Sequence, residues 1–281
     1  MSHSEDGRLA DTAPLGAGID HAAEMVAGMH RFLDRQRQSA ADIRAVRTGI
    51  DVERLRGKLQ RVLGVVDHRG PTRLEVVTPA GRPGPVATGH GYVVQTVRWN
   101  VFRNVTGAGL LCEPNEPARG NVIVLPDCDQ TPEQAIGLDG SSSGIVETCA
   151  MLAEAGFRVL VPALISRDDT HSGIPGVRMT NQPHREFVYR AAFEVGRHII
   201  GYEVQRTLAA MDAFALSYDP APVSVLGHGE GAALALFVAA LDTRVELAGV
   251  SGYFGPREST WQEPIYRNVF GALEDFGDAE L

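Results

Sequence analysis

Lysine is nearly absent: Lys58 is the only one in 281 residues, and arginine carries the rest of the basic charge. Schiff-base chemistry would have to use Lys58, which stands in a polar stretch of helical character, so that chemistry is set aside. Cysteine is scarce too. Cys112, Cys128 and Cys149 are widely spaced with no CxxC pair, which argues against a disulfide framework or a zinc site and suits a reducing compartment. Long apolar runs are missing: no stretch approaches the roughly 18 residues a membrane span needs, and the first thirty residues lack a basic start followed by an apolar core. A cytoplasmic location is the expectation. There is also no basic run, and the formal net charge is −9. Neither nucleic acid nor a membrane is therefore expected as partner, since both are held through clustered Lys and Arg. A small molecule or a protein fits better.

What is present is an ordinary hydrophobic content of 44%, enough to bury a sizeable core in one main domain. Residues 1–18 are rich in Gly, Ser and Asp without periodicity and read as a flexible tail. Residues 19–66 read as an N-terminal helical extension: Met25, Met29, Phe32 and Leu33 recur at helical steps, as do Ile43, Val46, Ile50, Leu55, Leu59 and Leu63. From residue 67 the rhythm changes. "RLEVVTP", "GYVVQTVRWNVF" and "GAGLLCEP" read as antiparallel strands separated by Pro and Gly clusters. Strands and helices then alternate: "NVIVLPD", a helix closed by Gly156, "RVLVPAL", one long helix over 187–217, "VSVLGHG", "EGAALALFVAALD" and "LAGVSGYF". In the long helix Phe187, Ala191, Val195, Ile199, Val204, Leu208 and Met211 trace one apolar stripe, with Arg190, Glu194, Arg197 and Glu203 largely off it. The fold class is α/β, with right-handed crossovers building a mostly parallel, doubly wound sheet behind antiparallel N-terminal strands.

"LGHGEGAALAL" (226–236) has the form strand, G-x-nucleophile-x-G, apolar helix. Gly227 and Gly231 hold the positions where strand and helix approach closely, and Gly229 stands in the nucleophile's place. This stretch resembles the nucleophile elbow of the α/β-hydrolase superfamily, and residues 70–255 are similar in order to its dienelactone hydrolase and acetyl xylan esterase branch. The resemblance implies an oxyanion cradle from the backbone N–H of Glu230 and the loop after Pro126, where Asp127, Cys128 and Asp129 lie. It also implies a serine, then an acid and a histidine on later strands. Glycine offers no attacking atom, and the sequence stops at Leu281, before those later strands, so a C-terminally incomplete sheet is expected.

Other residues are candidates for chemistry. Glu230 and His228, beside the bend, are the candidate catalytic groups, although an acid in a helix's first turn is favoured by the dipole alone. "GSSSG" (140–144) satisfies G-x-S-x-G literally, but its position before a helix makes a capping serine the simpler reading. Arg167, Asp168 and His171 follow "RVLVPAL" on the edge where open α/β sheets bind ligands. Their spacing meets no metal pattern, so no metal and no cofactor is expected. Trp261, Tyr266 and Phe270 read as packing rather than as a lid. Three functions remain open: an esterase-like scaffold without a triad that is non-catalytic or binds a ligand, an active ester or lactone hydrolase using Glu230, and the front part of a longer hydrolase. An exposed edge after "LAGVSGYF" makes a homodimer through that edge the expected assembly, testable by light scattering.

Overall fold

The computed structural model describes residues 20–78, 81, 84–176, 182–218, 221–257 and 259–281. The tail expected over 1–18 lies outside the described residues. Contacts divide the chain into two compact units, residues 1–46 and 47–281. In the first, helix α1 (His21–Ala45) starts at Asp20, whose carboxylate caps the N–H of Ala23, and none of its residues is buried.

The second unit begins with α2 (Val52–Val62), capped in the same way by Asp51. Of the two helices expected over 19–66, only α2 belongs to this unit, and Leu59 and Leu63 are buried in its core. Four antiparallel strands follow: β1 (Glu75–Val76), β2 (Ala87–Gly89), β3 (Tyr92–Phe102) and β4 (Val105–Pro114). The chain continues through β5 (Asn121–Leu125), α3 (Pro132–Ala135), α4 (Gly144–Glu154), β6 (Arg158–Pro162), α5 (His184–Phe193) and α6 (Ile199–Ser217). It then runs through β7 (Val223–His228), α7 (Glu230–Leu241), β8 (Val245–Ser251) and α8 (Ala272–Asp275). The sheet is mixed, in the order β1-β3-β4-β6-β5-β7-β8 with β2 also on β3, and β6, β5, β7 and β8 run parallel.

Every residue of β5 and β6 is buried, which explains their unbroken apolar sequences: helices cover both faces of the parallel half. One core lies between the sheet and α2, α6 and α7, and a smaller one lies under α4. From β5 the chain crosses to β6 on one side and returns as β7 on the other. The carboxyl ends of β5 and β7 therefore flank the point where strand order reverses, the usual ligand crevice of an open α/β sheet.

Two readings of the sequence need correction. The long helix expected over 187–217 is two helices, broken at 194–198. Gly196 turns the chain at φ 66°, and His198 restarts it with extended backbone, its Nδ1 accepting the N–H of Ile200 at 3.0 Å. Only the second half of the apolar stripe (Ile199, Val204, Leu208, Met211) is buried; Phe187 and Val195 remain 41% and 60% exposed. Glu203, expected off the stripe, is fully buried. Of the three aromatics expected to pack, Tyr266 is buried, whereas Trp261 is 53% exposed and Phe270, edge-on to Phe193, is 80% exposed. Ser143 does stand at the N-cap of α4, yet its hydroxyl makes no capping bond.

The helix break carries a pH dependence. Burial pushes the His198 imidazole down from 6.5 to about 4, despite the hydrogen bond to the Asn268 carbonyl. The folded state therefore holds the neutral ring while the unfolded chain takes up a proton below 6.5, so this contribution is intact above that pH and lost as pH falls toward 4. By about pH 4.5 the loss amounts to roughly 2–3 kcal/mol. Urea midpoints measured across this range should show the fall, and His198→Gln should flatten it.

Candidate functional site

At the β7–α7 bend the chain passes from strand to helix across a single residue. Gly229 sits at φ 56°, ψ −120°, and α7 begins at the next residue. A Cβ on Gly227 would collide with the Gly231 carbonyl, and one on Gly231 would collide with the carbonyls of Leu125 and Pro126. Both glycines are thus required by the close passage of α7 over the ends of β5 and β7.

The loop after β5 meets this bend directly. The Glu230 N–H donates to Asp127 Oδ1 at 2.9 Å. A Cβ built on Gly229 would lie 2.5 Å from the same oxygen. Asp127 therefore caps α7 and fills the space into which a side chain at 229 would point. Burial alone would raise its carboxyl, but hydrogen bonds from Arg167 and from the Glu230 amide, with the Arg167 charge, hold it below the usual carboxylate range.

Arg167 organises the rest. It donates to Asp127 Oδ2 and Asp129 Oδ2, each at 2.8 Å, and to the Tyr266 hydroxyl at 2.8 Å, and it reaches Glu230 Oε1 at 3.2 Å. Glu230, only 1% exposed, also accepts from Arg267 Nε at 2.5 Å, and its second oxygen lies 3.7 Å from Arg185. Arg185 and Glu203, both without exposed side-chain surface, pair at 2.9 Å, and Arg206 closes on Glu203 from the next turn of α6. The result is a cluster of alternating guanidiniums and carboxylates under the bend. Charges this far from water persist only because each faces a partner.

The remaining candidates divide. Cys128 is buried between these charged residues, and burial pushes its thiol up to about 12 against the opposing pull of Arg185 and Arg167. That holds it as the unreactive thiol. Asp127, Cys128 and Asp129 bring three ligand atoms within 4.8 Å of one another, but the Arg167 guanidinium already bridges both carboxylates where a cation would sit. The hydrogen bonds of Asp168 and His171 run within their own loop and to His184 of α5. Backbone N–H groups of Asp169 and Thr170, with the Thr170 hydroxyl, cap the Asp168 carboxylate and lower its pKa. His171 stacks on His184, centroids 5.4 Å apart, and its N–H donates to His184 Nε2. His228 faces Ser251, Nδ1 to Oγ 3.3 Å.

Sequence reasoning missed Arg185, Glu203 and Arg267. The one available signal was the near absence of lysine, because a guanidinium fork can serve two carboxylates at once where an ammonium is a point charge.

The β7–α7 bend thus lies at the switch point with the loop after β5 closing on it. Residues 108–270 match the model of the dienelactone hydrolase family. The chain belongs to that family. By structure it is similar to a protein of Bacteroides fragilis NCTC 9343 provisionally assigned as an acetyl xylan esterase. The identity is 10% and the TM-score 0.62, with 98% of this chain and 73% of that one covered. It also aligns with acetyl xylan esterase 1 from Thermoanaerobacterium sp. JW/SL YS485 at 16% identity and TM-score 0.46, covering 80% and 67% of the two chains. A cold-adapted esterase from an Arctic intertidal metagenomic library aligns at 15% identity and TM-score 0.38, over 59% of this chain and 62% of that one. No curated protein matches the chain by sequence. At these identities the first likeness establishes a shared fold, and the family assignment makes the chain one of an esterase-type hydrolase family.

Proposed function

We propose that this chain is a hydrolase-family scaffold that does not act as a serine esterase and instead serves a non-catalytic, ligand-binding role. One observation carries the reading: the N–H of Glu230, which in an elbow of this type would face a developing oxyanion, donates to the carboxylate of Asp127. An oxyanion brought there would have to displace a carboxylate that Arg167 also holds, and two negative charges cannot share one donor. Residue 229 itself contributes no attacking atom.

The alternative, Glu230 as nucleophile or base, finds little support in its surroundings. Its oxygens face Arg267, Arg167 and Arg185, and almost none of it meets solvent. Its Oε1 already accepts hydrogen bonds from both Arg267 and Arg167, and such charge-assisted bonds are strong.

p-Nitrophenyl acetate and a simple lactone are expected to turn over at the rate of buffer, and a fluorophosphonate probe is expected to label no serine. Turnover above blank that disappears in Glu230→Gln, with the folded state retained by circular dichroism, would replace this reading with the carboxylate route.

A further inference from the structure

The break between α5 and α6 opens a groove of 740 Å³, lined by none of the residues of the bend or its charge cluster. Its walls are largely apolar: Phe102 at the end of β3, Phe187, Ala191 and Val195 along α5 and the turn after it, and Tyr202 on α6. Phe187 and Val195 are the members of the apolar stripe that the helix break left in contact with solvent. An apolar surface held open in this way is a binding surface in need of an occupant.

The polar groups of the groove decide what that occupant is. Asp67 and Arg197 neutralise each other, with Arg197 Nη2 2.8 Å from Asp67 Oδ1 and its Nη1 donating to the Val195 carbonyl. The His198 ring is held neutral and uses both nitrogens within the fold. Arg103, at the β3–β4 turn, pairs with no carboxylate among the described residues. The groove thus presents one uncompensated guanidinium beside an apolar trough.

The geometry points to a binding site for a small amphipathic anion: a medium-chain carboxylate whose tail lies along Phe102, Phe187, Ala191, Val195 and Tyr202 and whose head pairs with Arg103. The inference goes beyond the reading of the bend and stands whether or not that reading holds.

Sodium octanoate is the probe, titrated into the protein by isothermal calorimetry. Octanoate is expected to bind in the submillimolar range. Each methylene removed should weaken binding about fourfold, so hexanoate falls by more than about tenfold. Arg103→Gln should weaken octanoate about fivefold and leave the affinity for 1-octanol unchanged. Ala191→Trp, at an exposed position on α5, should fill the trough and abolish binding of both, while Asp127→Asn at the bend changes neither. No binding at millimolar octanoate would overturn the proposal, as would an affinity indifferent to both Arg103→Gln and Ala191→Trp. If 1-octanol matches octanoate, the site is apolar only and the assignment of an anion is wrong.

Discussion

Arg185→Met is expected to destabilise the fold by about 3–5 kcal/mol, the cost of leaving buried carboxylates without their counter-charge. Arg185 is fully buried and binds both oxygens of Glu203, lies 3.7 Å from Glu230, and donates to the Ile165 carbonyl. Methionine fills similar volume, so packing is largely preserved and the loss reports the charge. Because a domain's whole stability is roughly 5–15 kcal/mol, the urea midpoint should fall steeply with little change in slope. Replacing both partners, Arg185→Met with Glu203→Leu, should recover part of the loss, since a buried ion pair and a hydrophobic pair of similar size differ little in net stability. Full recovery is not expected, because Glu203 also accepts the Ile165 N–H at 3.0 Å and the Arg206 guanidinium. A cost under about 1 kcal/mol for the single variant would mean the cluster is far more hydrated than its burial indicates.

Gly229→Ser, which places a hydroxyl side chain at the bend, should lower stability by about 2–4 kcal/mol. Part of this is the backbone at φ 56°, ψ −120°, where a side chain costs about 1–3 kcal/mol. The rest is steric: the new Cβ falls 2.5 Å from Asp127 Oδ1, so the carboxylate must leave the Glu230 N–H. Residues 127 and 229 should therefore be energetically coupled. Asp127→Ala alone loses a helix cap, worth about 1 kcal/mol, together with a partner of Arg167. In the Gly229→Ser background it also removes the clash. The double variant should therefore cost less than the two singles added together, by about 1 kcal/mol or more. Strict additivity by chemical denaturation would show that Asp127 and the side chain at 229 do not compete for one space.

Much of the fold was legible in the chain. "NVIVL" and "RVLVP" read as buried parallel strands because unbroken apolar runs have no solvent face to serve, and both are buried throughout. The G-x-G-x-G bend was readable because only glycine tolerates the carbonyls that press on 227 and 231. The long helix misread at 194–198 shows the limit of periodicity: the 3.6-residue spacing continues through Val195 and Ile199, and a single Gly–Arg–His turn resets the axis without disturbing the count.

The candidate site was legible by position and not by role. Asp127, Asp129, Arg167 and Glu230 were all identifiable as residues at the carboxyl edge of the sheet, because strand ends and the crossover pattern put them there. Which carboxylate would take the Glu230 amide, and that Arg185 and Glu203 would join from α5 and α6, depend on side chains separated by tens of residues meeting across the switch point. Pairing of charges in a buried space is set by distance and desolvation, which have no periodic trace in the chain. The sequence alone determined the alternation, the bend and the glycine at position 229; the tertiary structure decided that a carboxylate, held by arginine, takes the Glu230 N–H beside it.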